Sequence, residues 1–326
     1  MSKFIITGGA GFIGSCLLGK LNQQGVDDVI VVDNLGVSQK WKNLVGKSYA
    51  DYYHKSVFLD LIESGKLDLE DVDTVFHLGA CSSTTELDAE YLASNNFRFS
   101  VSLARWCRQR SARLVYASSA ATYGGGELGF CDDPMMLKQL RPLNMYGYSK
   151  QMFDEWAQRN GVLKDSVGFK FFNVYGPNEY HKGAMASMVY KAYHQILQTK
   201  EVKLFKSHRP DYRDGEQLRD FIYIKDATEA LWQASQKRSV NGLLNLGTGQ
   251  ARSWLDLARA VFSAMDCPEK IVFVDMPPEL QGAYQYFTQA DAGRFNSTSL
   301  LSGFTSLEGG VHDYVKNYLS AQCPYL

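Results

Sequence analysis

Three glycines spaced Gly8-x-x-Gly11-x-x-Gly14 stand between a short apolar run, Lys3 to Thr7, and an apolar pattern of helical period through Leu17, Leu18 and Leu21. Strand, glycine turn and helix in that order leave the chain few folds. Without Cβ atoms the turn can be tight, and an anionic group can approach the N–H groups at the start of the helix. About twenty residues on, a second apolar run, Val29 to Val32, ends in Asp33-Asn34, where an acid can read a ribose hydroxyl. Together these features predict a dinucleotide-binding unit with Gly8, Gly11, Phe12, Ile13, Gly14, Asp33 and Asn34 around the cofactor.

Strands and helices go on alternating. A strand from Thr74 to Leu78 leads into Gly79-Ala80-Cys81-Ser82, a helix covers about Tyr91 to Arg110, and a strand from Arg113 to Ala117 ends at Ser118-Ser119. Another strand, Val167 to Phe172, runs into Asn173-Val174-Tyr175-Gly176-Pro177. Small or polar residues therefore recur at the carboxyl ends of strands, where open α/β sheets bind ligands. The pattern predicts an α/β fold with a doubly wound parallel sheet (Rossmann), and residues 1-176 are expected to form the dinucleotide-binding domain. Beyond Pro177 the alternation loosens into a helix at Ala184 to Gln198, a polar segment from Lys206 to Leu218 and a strand from Phe221 to Ile224. Residues 177-326 are expected to form mainly a smaller C-terminal substrate-binding domain, with 220-250 returning to the first.

A chain of 326 residues with 45% hydrophobic content can bury a sizeable core. Its formal net charge of -1, with no long basic block, offers no electrostatic footprint for nucleic acid or an anionic membrane. No apolar run reaches the roughly 20 residues that span a bilayer. Cys16, Cys81, Cys107, Cys131, Cys267 and Cys323 are scattered, without a Cys-x-x-Cys or Cys/His cluster, and the start lacks a signal-peptide core. This predicts reduced thiols in a cytoplasm and no metal site.

Tyr146 and Lys150 open a helical stretch at Asn144-Met145-Tyr146-Gly147-Tyr148-Ser149-Lys150. Residues at i and i+4 share a helix face. A lysine charge about 6 Å from a phenol, at an effective dielectric of ~20, favours the phenolate by roughly 2 to 3 kcal/mol, or about two pKa units. Beside a dinucleotide the pair makes a group that takes or returns an alcohol proton. Alone, it reads more readily as a surface pair on any helix. The glycine turn tips the reading toward chemistry.

These segments, with Ser118-Ser119-Ala120-Ala121-Thr122-Tyr123-Gly124, resemble the extended short-chain dehydrogenase/reductase superfamily acting on nucleotide sugars. Four stretches are similar to a narrower family: Gly79 to Glu86, Tyr116 to Gly125, His181-Lys182-Gly183-x-Met185-Ala186-Ser187, and Tyr284-Gln285-x-Phe287-Thr288-Gln289-Ala290-Asp291. They resemble the ADP-L-glycero-D-manno-heptose 6-epimerases over nearly the full chain. That resemblance implies inversion at the 6-hydroxyl carbon of an ADP-heptose, a step toward lipopolysaccharide core. It proceeds by transient oxidation to a 6-keto sugar with bound NADP and return of the hydride to the other face.

The resemblance implies two proton carriers, Tyr146 and Lys182, with Ser119 on the reacting oxygen and Lys150 also holding the nicotinamide ribose. Leu78, Gly79, Ala80, Cys81, Ser82, Asn95 and Val174 would line the cofactor. Asn173, Ala184, Lys191, Phe205, Arg219 and Tyr284 would line the substrate with Ser119 and Lys182, Arg219 as a phosphate contact. It also implies a homo-oligomer, with a pentamer as one form. Asp33 favours a free 2′-hydroxyl and hence NAD, whereas Lys40 and Lys55 match family lysines near a 2′-phosphate; NADP is the reading taken, with NAD the alternative. Two departures fall on the substrate side: Lys191 stands where the family usually has histidine, and Ser207 to Leu218 is longer than the family's loop.

Three other readings compete. A 4,6-dehydratase would carry an acid pair where Ala120-Ala121 stand. A UDP-sugar 4-epimerase would not carry His181-Lys182-Gly183. A non-catalytic dinucleotide-sensing module would have no use for Tyr146, Lys150 and Ser119 together.

Overall fold

A computed structural model describes residues 3–281 and 284–326. Its strands are β1 (Lys3–Thr7), β2 (Val29–Asp33), β3 (Asp51–His54), β4 (Val72–His77), β5 (Arg113–Ser119), β6 (Val167–Phe171), β7 (Asn173–Tyr175), β8 (Val202–Phe205), β9 (Leu218–Tyr223), β10 (Gly242–Leu246), β11 (Ala251–Ser253) and β12 (Ile271–Val274). A seven-stranded sheet has the order β10-β6-β5-β4-β1-β2-β3, with every pairing parallel. Parallel strands covered on both faces read as continuous apolar runs, which is why Phe4-Ile5-Ile6 and Val29 to Val32 carry no alternation and are all buried. Alternate side chains serve opposite faces. Phe4 and Ile6 join one core cluster, and Ile5 joins the other.

Chain order reverses between β1 and β4, so the turns that follow these two neighbours flank one crevice. Gly8 takes φ 70° there, and a Cβ on it would lie 2.7 Å from the Gly79 backbone. The two turns therefore touch, and only glycine permits it. Beyond β6 the chain leaves the large sheet. Phe172 still bonds back to Leu246 (3.1 Å), but β7 pairs with β9 and β9 with β11 in a second sheet, and β8 pairs with β12 in a third. β10, from late in the chain, lies at the edge of the large sheet beside β6.

One expected element is broken. In place of a continuous helix from Tyr91 to Arg110, a short helix Ala89–Leu92 passes into a π-helical turn Ala93–Arg98 and then an α-helix Phe99–Gln109. Such wide turns accompany functional sites, and this one carries Asn95 to the cleft and buries Asn96 behind it. The helix expected at Ala184 starts later, at Met188, with Ser187 as its cap; Tyr180–Met185 form a 3-10 turn kinked at Gly183 (φ 53°). Among the described residues, no helix is long and apolar enough to cross a membrane, and no group of His, Cys, Asp or Glu is placed to hold a metal.

Candidate active site

The crevice beside β1 and β4 opens into a cleft of about 660 Å³. Every residue expected to hold the cofactor lines it: Gly8, Gly11 to Gly14, Asp33, Asn34, Lys40, Lys55, Leu78 to Ser82, Asn95, Lys150 and Val174. Helix Phe12–Gln23 begins at Gly11 with no side-chain cap and no acid in its first turn. Its first N–H groups and positive end are left for an anion, so the turn fits a pyrophosphate.

The Asp33 carboxylate is already engaged. It accepts from the Ala10 N–H (2.8 Å), the Asn34 N–H (2.6 Å) and the Lys40 ammonium (2.6 Å). Lys40 thus neutralises the acid that would read a 2′-hydroxyl. Lys55 lines the same cleft, its ammonium bonded to the Asn95 side chain and 5.8 Å from the Tyr91 ring centre.

Asn144 caps helix Met145–Arg159 by accepting from the Gly147 N–H (2.8 Å). Gly147 presses this helix onto the turn after β5, where a Cβ would meet the Ala121 carbonyl at 2.6 Å. That approach brings Tyr146 beside Ser119, and both line the cleft. The Ser119 hydroxyl has two tasks, accepting the Ala121 N–H (3.1 Å) as a turn cap and bonding the Tyr146 side chain. The Lys150 ammonium, 6% exposed, donates to the Ala117 carbonyl (2.8 Å).

The electrostatics differ from the expectation in one respect. Burial pushes the Tyr146 phenol up, opposed by the Ser119 hydrogen bond; Lys150, drawn to Ala117, does not lower it here. Burial also brings Lys150 down to about 8, opposed by the negative charge of Asp154 one turn on. The i and i+4 spacing put the two side chains on one face, but it could not foresee desolvation.

A second pocket, of about 560 Å³, shares Phe172, Val174 and Lys182 with the first. Asn173, Lys182, Lys191, Phe205 and Tyr284 line it, as do Trp254 and Phe221. Ala184 is exposed and lies outside the lining. Arg219 also lies outside it. Its guanidinium sits 5.1 Å from the Tyr284 ring centre and 5.6 Å from that of Trp254, and donates to the Leu218 and Gln285 carbonyls. With Trp254 Nε1 donating to the Tyr284 hydroxyl (2.9 Å), Arg219 supports that wall of the pocket. The longer segment from Ser207 packs on Tyr286, whose hydroxyl takes the His208 N–H (3.0 Å), and contributes nothing to the lining.

Lys182 stands at the junction of the two spaces, its ammonium 5.2 Å from the Phe12 ring centre. Burial lowers it, opposed by the charge of Glu179 and assisted by that of Lys191. Lys191 donates to the Ala184 carbonyl (2.7 Å), inside the loop that bears Lys182.

Several buried polar residues behind the site went unnoticed in the sequence. Asn96 takes the Cys81 N–H (2.8 Å) and donates to the Cys81 carbonyl and the Ser149 hydroxyl (both 2.9 Å), tying the Gly79 turn to the Tyr146 helix. Asp154, fully buried, accepts from Tyr116, Ser118 and Lys170 at 2.6 to 3.0 Å. Glu179 accepts the Ser187 N–H and hydroxyl and so closes the Lys182 loop. Asp154 alone had a legible signal, lying one helical turn after Lys150.

A nucleotide cleft at the switch point, a tyrosine with its serine and lysine, and a second pocket beyond them define a dinucleotide-dependent enzyme of the short-chain type. The chain belongs to the NAD dependent epimerase/dehydratase family, whose model matches residues 4–247. Within it, the chain is 54% identical over 323 residues to the ADP-L-glycero-D-manno-heptose-6-epimerase of Nitratidesulfovibrio vulgaris (strain Hildenborough), covering 99% of this chain and 100% of that protein. It is 45% identical over 331 residues to the protein of the same name from Fusobacterium nucleatum subsp. nucleatum, covering 99% of each. The crystal structure of Helicobacter pylori ADP-L-glycero-D-manno-heptose-6-epimerase superposes with a TM-score of 0.81 at 31% identity, over 98% of this chain and 97% of that one.

Proposed function

We propose that the chain converts ADP-D-glycero-D-manno-heptose to ADP-L-glycero-D-manno-heptose through a transient 6-keto sugar, a step of lipopolysaccharide core heptose synthesis. The observation that carries the reading is the junction of the two spaces: Tyr146 with Ser119 on the wall of the cofactor cleft, and Lys182 at the mouth of the second pocket. Inversion needs a proton carrier on each side of C6, because the hydroxyl points oppositely in substrate and product. Tyr146 serves one epimer and Lys182 the other. Burial keeps Lys182 below the ordinary lysine range, which eases its use as a base. Ser119 holds the reacting oxygen; Lys150 binds the nicotinamide ribose.

NADP is the cofactor in this reading. Bound in the cleft, NADP would supply a reversible hydride acceptor for C6, so that the inversion carries no net redox. Lys40 and Lys55 meet the 2′-phosphate, and Asp33 is held by Lys40 and the glycine turn. Residues 1-176 with 220-250 bind the cofactor, and the rest of 177-326 mainly binds the sugar nucleotide. Asn173, Lys191, Phe205 and Tyr284 form the sugar-nucleotide wall, Arg219 braces Tyr284, and Ala184 acts through its carbonyl on Lys191. The same reading makes the protein a cytoplasmic homo-oligomer. Incubation with ADP-D-glycero-D-manno-heptose and a proton spectrum of the product tests it: the L-glycero epimer is expected, and an unchanged heptose or a change at another carbon would overturn it.

A further inference from the structure

We propose that the segment Cys323–Leu326 is a strap that positions Lys182, fastening the Pro177–Lys182 loop to the face of helix Phe12–Gln23 that begins at the cofactor turn. The inference rests on the reading of Lys182 as the second proton carrier.

The loop has little regular structure of its own. Asn178 sits at φ 73°, and the 3-10 turn that follows is kinked at Gly183. What holds it is a set of ties converging from distant parts of the chain. The Asn178 side chain grips the Leu326 main chain at both ends, accepting its N–H (2.9 Å) and donating to its carbonyl (3.4 Å). The same side-chain amide donates to the Ser15 hydroxyl (2.9 Å). Tyr180 donates its hydroxyl to the Pro324 carbonyl and meets the Tyr325 ring edge-on at 5.4 Å. The Lys47 ammonium donates to the Leu326 carbonyl.

These ties share one helix face. Lys182 lies over Phe12, Asn178 bonds Ser15, Cys16 Sγ donates to the Pro177 carbonyl (3.4 Å), and a Cβ on Gly19 would lie 3.6 Å from the Leu326 carbonyl. Positions 12, 15, 16 and 19 follow the i, i+3, i+4, i+7 pattern of a single stripe, spanning about 10 Å along the axis. One end of the stripe is the start of the cofactor helix. The strap occupies the other end, so it sets where the loop lies against the cofactor cleft. A base works only within hydrogen-bond reach of its proton, and a displacement of about 1 Å can cost ~100-fold in rate.

Two variants test the strap: removal of residues 323–326, and Tyr180→Phe, which keeps the ring and loses only the donor to Pro324. Inversion is expected to fall about 10- to 100-fold in kcat for the truncation and less for Tyr180→Phe. Bound cofactor and the dismutation of a small aldehyde analogue, which needs Tyr146 alone, are expected to stay at wild-type levels. In a Lys182→Met background the truncation is expected to add no further loss, since both changes remove the same group. Inversion at the wild-type rate after truncation, an equal drop in dismutation, or losses that multiply in the Lys182→Met background would each overturn the strap alone. Inversion at the wild-type rate by Lys182→Met itself would overturn the strap together with the reading beneath it.

Discussion

The cofactor cleft and the substrate pocket share Phe172, Val174 and Lys182, but they are built differently. The nucleotide end of the cleft is made of turns that follow β1, β2 and β4, where a parallel register and glycines set the backbone. The pocket gathers side chains from β7, the Lys182 loop, helix Met188–Thr199, β8, Trp254 and Tyr284, elements up to about a hundred residues apart. Each backbone turn at a strand end is local in sequence, even though the cleft these turns line runs from Thr7 to Lys182. A pocket built from side chains of distant elements is not. The first should therefore fail through single glycines, and the second should weaken by increments.

The largest effect is expected on the cleft. A Cβ on Gly14 would run into the Gly8 carbonyl, whereas one on Gly11 would stand 3.1 Å from it. Gly14→Val is expected to lose bound nucleotide altogether and Gly11→Ala to keep part of it, as read from the nucleotide released on denaturing purified protein. Equal retention would break the comparison.

Next comes the choice between cofactors. Exchanging Lys40 and Lys55 together for alanine is expected to weaken NADP on the order of 100-fold, as charged hydrogen bonds to phosphate are lost, with a much smaller change for NAD in direct titration. Equal losses would make the two lysines surface charges and leave Asp33 to decide.

On the pocket side the effect is smaller. Arg219→Ala removes the guanidinium between Tyr284 and Trp254, a contact of up to about 2 kcal/mol when desolvated, so KM for the sugar nucleotide is expected to rise by up to roughly 30-fold. Bound cofactor is expected to be unchanged. A loss of cofactor instead would show that the two spaces are not separable.

The smallest effect separates the two lysines by pH. Lys150 must stay charged to hold the ribose, so kcat is expected to decline as pH rises through about 8. Asp154 opposes the lowering of Lys150, and Asp154→Asn is expected to move that decline to lower pH in a kcat profile. An unmoved limb would assign it to another group.

How much could be read in advance follows the same division. The strands β1, β2 and β5 and the uncapped helix start were legible, because each depends on residues within a few positions of one another; the pairing of Ser119 with Tyr146, from different elements, came from the family resemblance. The π-helical turn at Ala93–Arg98 was not, since its backbone serves Asn96, whose partners Cys81 and Ser149 lie 15 and 53 residues away. The family resemblance gave Arg219 a phosphate contact. In the structure, aromatic rings from positions 254 and 284 take up its guanidinium, and its neighbour Asp220 gathers Thr248, Gly249 and Ala290. The depressed lysines and the raised tyrosine come from burial, which no spacing rule reports.

The central claim is that Lys182, where the two spaces meet, carries the proton for one epimer while Tyr146 carries it for the other. Its most direct test is the rate of heptose inversion by Lys182→Met with bound cofactor content measured alongside. Removal of a general base costs about 100- to 10,000-fold, and a loss of that size with full cofactor occupancy is the expected result. Inversion within a few-fold of wild type would remove Lys182 from the chemistry and leave Tyr146 as the only base.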